Sequence, residues 1–220
     1  MLQCRDIQLS IDGQSILKGI SVRIEDGEWV SLVGASGSGK STLVKVLSGL
    51  QAFTSGSIMY QDEQERLDIR TADPIHWRQT LGYCHQLPYL FGKTVRDNLE
   101  FPFVIRKKAV DEDRIIGLLG QVGLDATYLD KSNTELSGGQ MQRICLVRSL
   151  IFSPKVLLVD EVTSALDLDN TRIVERLLQA CNQEGMTIVQ ITHNEEQSLQ
   201  GPHRRITIDG GVITREEVLR

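Results

Sequence analysis

The sequence predicts an α/β fold, and three observations carry that reading. An apolar run at 28–33 leads through a glycine-rich turn into an apolar stretch at 42–47, the order strand, loop, helix. Two further short apolar runs, 155–160 and 186–191, are separated by an amphipathic stretch at 170–181, which is the pattern of parallel strands covered on both faces. Between 87 and about 149 strand alternation gives way to helical spacing, so a helical insert of some sixty residues interrupts the α/β core.

Taken in order, residues 2–10 alternate loosely, with Ile7, Leu9 and Ile11 on one side, and Asp12-Gly13 is a turn signal. Residues 19–25 alternate again with Ile20, Val22 and Ile24 on one face, and Asp26-Gly27 turns the chain into the first apolar run. The first third is therefore strand-rich. Ser55-Gly56 turns into a short strand at 57–60, and the polar stretch 61–70 reads as a surface loop or hairpin. Asp73-Pro74 starts a helix, because the fixed φ of proline suits the first helical position. Residues 80–84 read as a strand ending at His85-Gln86. In the insert, Ile115, Leu118, Leu119 and Val122 sit at helix spacing, and Ser137 opens another helix continued by Met141, Ile144, Cys145 and Arg148. The strands around Ile208 and Val212 flank Asp209-Gly210-Gly211, a hairpin signal. With no internal repeat and no low-complexity linker, residues 1–220 make a single domain: a core from 1–86 and 150–220, and a helical subdomain over 87–149.

At 220 residues such a domain buries a sizeable core. The net charge of −5 offers no electrostatic footprint for nucleic acid. Cys4, Cys84, Cys145 and Cys181 lie far apart without a CxxC pair, so they read as reduced, buried thiols of a cytosolic protein rather than as a zinc site or disulfide frame. Residues 1–6 hold no apolar signal-peptide core, and no apolar run approaches membrane-spanning length, so a membrane process requires a partner.

Residues Gly34-Ala35-Ser36-Gly37-Ser38-Gly39-Lys40-Ser41 fit the phosphate-binding pattern GxxxxGK[ST]. Successive backbone N–H groups wrap an anion only where no Cβ blocks the turn, and a helix N-terminus beyond the loop adds its dipole. Lys40 supplies a charge for the β- and γ-phosphates, and the Ser41 hydroxyl is a Mg²⁺ ligand. The flanking strand and helix separate this segment from a Gly/Ser-rich linker. The run 156–160 delivers Asp160 and Glu161 to a strand's C-terminal end, where ligands sit in open α/β sheets. Asp160 suits a Mg²⁺ shell and Glu161 the polarisation of an attacking water. Leu136-Ser137-Gly138-Gly139-Gln140 opens a helix with a hydroxyl and two glycines, a second anion-gripping helix end or an ordinary cap. Gln86 at a strand end reads as a ligand for metal or water, or as structural. His193 after a buried strand reads as a γ-phosphate donor or a helix cap. Two phosphate-gripping helix ends in one chain point to a dimer whose sites are completed across the interface.

Together and in this order, the phosphate loop, Gln86, LSGGQ at 136–140, LLVDE at 157–161, SALD at 164–167 and His193 resemble an ATP-binding-cassette (ABC) ATPase over essentially the whole chain. The resemblance implies a P-loop NTPase core with an antiparallel β subdomain and a helical subdomain. It further implies a head-to-tail homodimer with two ATP molecules in the interface. In it, residues 34–42, Thr42 included, and residues 137–140 of the other copy grip one triphosphate. Glu161 is the base, His193 contacts the γ-phosphate and water, Gln86 and Ser41 serve Mg²⁺, and Asp167 communicates across the interface. The helical subdomain docks a transmembrane permease, which places the chain in the cytoplasm on the inner face of the membrane, without insertion and without nucleic acid. Such proteins often stack an aromatic ring on adenine just before the first hairpin turn; here Ile11 holds that position. Tyr83 to Val95, with Asp97-Asn98-Leu99, Phe101-Pro102 and Thr163-Ser164-Ala165-Leu166-Asp167, is similar to the ATPase subunit of bacterial iron-export ABC transporters. The cluster Tyr89-Leu90-Phe91 reads as a partner groove or as plain core. Two other readings are a soluble ABC-type ATPase on nucleic acid or ribosomes, disfavoured by a single acidic cassette, and a nucleotide-gated module without turnover, disfavoured by Glu161 and His193.

Overall fold

The computed structural model describes residues 1–219. β1 (Leu2–Ile11) and β2 (Gln14–Ile24) form an antiparallel hairpin across Asp12-Gly13. The chain then passes through β3 (Trp29–Val33), the phosphate loop and α1 (Lys40–Leu47). β4 (Ser55–Gln61) and β5 (Arg66–Asp68) return to the first sheet, giving the antiparallel order β2-β1-β4-β5, so the polar stretch 61–70 is a hairpin.

Along β1 the alternation differs from the expected one. Leu2 and Cys4 are buried, the register shifts at Asp6 (φ +50°), and Ile7 and Leu9 are then buried in the opposite phase. A β-bulge adds one residue and so keeps both halves of the strand facing one core. Ile11 does not follow Ile7 and Leu9 inward, and 42% of it is exposed at the strand end.

α2 (Pro74–Thr80) starts as expected, with the Asp73 carboxylate accepting from the Ile75 N–H at 2.7 Å. Its Trp77 is buried, and the indole donates to the Leu47 carbonyl at 3.0 Å, which ties α2 to the end of α1. β6 (Leu81–Cys84) follows. The insert contains α3 (Val95–Ile105), α4 (Glu112–Gln121), two short 3₁₀ turns and α5 (Gly138–Leu150). β7 (Val156–Asp160), α6 (Leu168–Gln183), β8 (Thr187–Ile191), α7 (Glu195–Leu199), β9 (Arg204–Asp209) and β10 (Val212–Val218) complete the chain. The sheet order is β10-β9-β3-β8-β7-β6, parallel from β9 to β6, with β10 antiparallel at the edge.

Every residue of β3, β7 and β8 is buried. Alternate residues serve two cores: Leu157, Val159 and Ile188 pack with the helical insert and α6, while Val156, Leu158, Val189 and Ile191 pack with α1 and the antiparallel sheet. This explains their unbroken apolar runs. Because β3, β6, β7 and β8 run parallel, the segments after their C-terminal ends meet at one edge of the sheet. Those segments are 34–39, 85–86, Glu161 and 192–193.

Candidate active site

The phosphate loop curls around its own lysine. Lys40 Nζ donates to the carbonyls of Gly34 at 2.9 Å and Ala35 at 2.8 Å, and lies 3.4 Å from Ser38 Oγ. Gly34 has φ +141°, and a Cβ there would lie 2.0 Å from the Ile208 carbonyl oxygen of β9. Only glycine fits both the backbone angle and the space. Gly39 (φ +103°) turns the loop into α1, while Ala35, Ser36 and Gly37 stand exposed at its crown. Thr42 is half-buried in the first turn of α1. Burial lowers the Lys40 pKa, and the nearby Glu161 and Asp160 charges oppose that shift. An ammonium held by neutral carbonyls beside open N–H groups is poised to exchange them for phosphate oxygens.

Asp160, at the end of β7, is almost wholly buried and has a donor on each oxygen. Ser41 Oγ donates to Oδ1 at 3.0 Å, and Tyr83 Oη to Oδ2 at 3.0 Å. A hydroxyl and a carboxylate so close are hard oxygen donors of the kind Mg²⁺ takes. Among the described residues no group of three or more His, Cys, Asp or Glu forms a metal cage.

Glu161 has φ +50° and donates its N–H to the Ile191 carbonyl at 3.2 Å. Its carboxylate is bracketed: Gln86 Nε2 donates to Oε2 at 2.9 Å, and His193 Nε2 lies 2.8 Å from Oε1. The segments bearing Glu161 and His193 are fastened together behind the site. Gln197 Oε1 accepts from Thr163 Oγ1 at 3.1 Å and from Thr192 Oγ1 at 2.8 Å.

Ser137 caps α5, accepting from the Gln140 N–H at 3.3 Å, while Gln140 Oε1 accepts from the Ser137 N–H at 2.9 Å. This capping box leaves Ser137 and Gly138 exposed. Gly139 is half-buried, with Leu166 beneath it. Gln140 Nε2 reaches Tyr128 Oη at 3.1 Å. The structure thus gathers Lys40, Ser41, Gln86, Asp160, Glu161 and His193. Among the described residues, Ser137 to Gln140 and Ile11 make no hydrogen bond to that group within one chain. Sequence reasoning gave no role to Tyr83, Gln197 or Gln142, whose Nε2 donates to the His85 carbonyl at 3.0 Å, next to Gln86. Their signals lie in which strands are neighbours.

A glycine-wrapped lysine at the C-terminal edge of a parallel sheet, with an acid pair at the end of β7 two strands away from β3, defines a nucleotide-hydrolysing P-loop protein. The family profile for ABC transporters matches residues 17–164, and the chain belongs to that family. It is an ATP-binding subunit and an ATPase of the ABC type. It is 38% identical over 198 residues to the probable iron export ATP-binding protein FetA of Escherichia coli K12, covering 90% of this chain and 86% of that one. It is 36% identical over 228 residues to the spermidine/putrescine import ATP-binding protein PotA of Mycoplasma mycoides, where it spans 99% of its own length but 62% of the relative's. Among solved structures, the ATP-binding cassette MJ0796, dimeric and bound to ADP and Pi in a post-hydrolysis state, superposes with a TM-score of 0.90 at 28% identity, covering 100% of this chain and 99% of that one.

Proposed function

We propose that this chain energises export of iron or a related metal ion through a separate membrane permease, acting as a head-to-tail homodimer. The observation that carries the hydrolytic part is the bracketing of Glu161 by Gln86 and His193. A carboxylate on a rigid strand end, with a histidine at 2.8 Å, takes a proton from a water aimed at the γ-phosphate, while His193 steadies that water. Lys40 and the N–H groups of residues 34–42 hold the phosphates. Ser41, Asp160 and Gln86 hold Mg²⁺, which when bound neutralises charge on the β- and γ-oxygens. The cap formed by Ser137, Gly138, Gly139 and Gln140, exposed at its first two residues, suits the triphosphate of a partner copy, and the dimeric state of MJ0796 supports that arrangement. Ile11, exposed at the β1 end, lies beside adenine.

Residues 87–149 form the subdomain that meets the permease, with 1–86 and 150–220 as the nucleotide-binding core. Among the described residues no helix is long and apolar enough to cross a membrane, which suits a peripheral subunit on the inner face of the cell membrane. Export and iron rest on the similarity to FetA, whereas PotA serves polyamine import, so cargo and direction belong to the permease.

Two measurements test this. Glu161→Gln keeps the volume and loses the base, so ATP still binds while phosphate release falls about a hundredfold or more; near-normal turnover removes Glu161 as the base. Inside-out vesicles carrying chain and permease accumulate Fe²⁺ when given ATP. Accumulation of spermidine instead overturns the cargo assignment.

A further inference from the structure

We infer that Tyr83 is a positioning residue for the metal–phosphate site, its hydroxyl holding one oxygen of Asp160 so that the other stays aimed at Ser41. The placement follows from strand register. Tyr83 on β6 pairs with Leu158 on β7, and Asp160 lies two residues further along β7, on the same face as Leu158. A diagonal neighbour across two strands is within reach of an aromatic side chain. Tyr83 packs on that face with Leu81, Val156 and Leu158, whereas Cys84, Leu157 and Val159 serve the opposite core. Its hydroxyl meets Asp160 Oδ2 at 3.0 Å.

The tyrosine is itself held. Its ring stands edge-on to His85, with centroids 5.5 Å apart, and its carbonyl accepts from Ser149 Oγ of α5 at 3.3 Å. Asp160 is 1% exposed, so water is no ready substitute for a lost donor. With both donors in place the carboxylate has one orientation. Without the tyrosine hydroxyl Oδ2 has lost its donor, so the carboxylate is free to rotate and Oδ1 is no longer held toward Ser41. Tyr83 acts through Asp160 and touches no reacting atom.

This rests on the assignment of Asp160 to the Mg²⁺ shell, and the test separates the two. In the Glu161→Gln chain, where nucleotide stays intact, ATP is titrated calorimetrically in Mg²⁺ and in EDTA, with and without Tyr83→Phe. The gain in ATP affinity conferred by Mg²⁺ falls about tenfold in Tyr83→Phe, or about 1.4 kcal/mol, while affinity in EDTA is unchanged. With Glu161 intact, Tyr83→Phe needs about tenfold more Mg²⁺ for half-maximal turnover. An undiminished Mg²⁺ gain, even with a lowered unfolding midpoint, makes Tyr83 a packing residue and overturns the inference. If Mg²⁺ confers no gain with Tyr83 present, the Asp160 assignment falls and the inference with it.

Discussion

Glu161 combines a buried strand end, a left-handed backbone and two side-chain partners. A non-glycine residue at φ +50° costs on the order of 1–3 kcal/mol and persists where its surroundings over-determine it. Here the Ile191 carbonyl takes its N–H, and Gln197 ties the flanking threonines. Gln197→Leu removes the shared acceptor, so turnover falls about tenfold with ATP affinity unchanged, a split between kcat and KM read by steady-state kinetics. At Ile11 the missing ring sets a second expectation. Stacking on a base is worth about 1–3 kcal/mol, and an aliphatic side chain offers only burial. Ile11→Tyr is therefore expected to tighten ATP binding about tenfold and to leave inorganic triphosphate binding unchanged, to be read by calorimetry. Equal ATP affinity in both forms would mean that residue 11 does not face the base.

Among the described residues the helices other than α1 start on side-chain caps, and several of these caps respond to acid. Asp97, Asp125 and Asp167 each sit at or beside a helix N-terminus with their pKa values lowered. For Asp97 the cause is the Thr94 N–H, for Asp125 the Thr127 hydroxyl and then its N–H, and for Asp167 the Asn170 N–H. A carboxylate whose folded pKa lies below its unfolded value stabilises the fold above the unfolded pKa, and that contribution fades as pH falls through the folded pKa. The contribution of these three carboxylates to the unfolding midpoint is therefore constant from pH 7 to about pH 5 and is lost below about pH 4. Asp167→Asn, which keeps an acceptor without the charge, flattens part of that acid limb. An unchanged limb would show that the cap carboxylates do not set it.

The whole molecule keeps its thiols out of chemistry. Burial pushes Cys4 and Cys181 up to about 11 and Cys84 up to about 12. All four cysteines are free and buried. A native chain at pH 8 thus resists aromatic disulfide reagents, and four thiols react on unfolding; fast native labelling of any one would contradict the burial. The helical part also divides the cluster that reads from sequence as groove or core. Tyr89 is 72% exposed, Leu90 packs on the core, and Phe91 stands edge-on to Phe101 with centroids 4.7 Å apart. Tyr89→Asp is expected to uncouple transport at unchanged midpoint, and Leu90→Asp to lower the midpoint. The reverse pattern would place the permease contact elsewhere.

What the sequence determined by itself is whatever a local constraint dictates. Residues 28–33, 155–160 and 186–191 read as strands because sheets covered on both faces need unbroken apolar runs. The phosphate loop reads as such because backbone N–H groups wrap an anion only where no Cβ blocks the turn, and glycine stands at 34, 37 and 39 ahead of Lys40-Ser41. Asp160 and Glu161 were legible because they close an apolar strand at the edge where ligands sit, whereas Gln86 and His193, each open to a structural reading, joined them only through the resemblance to ABC ATPases. Tertiary structure alone decided the rest. The bulge at Asp6 depends on hydrogen-bond register, which an alternating pattern does not record, so the inward phase of β1 and the outward turn of Ile11 were hidden. The five residues of α7 are too few to show a period, so Asn194 reveals its cap only once the chain is folded. Tyr83 reaches Asp160 because β6 lies beside β7, a neighbour relation between segments 77 residues apart that no local pattern carries.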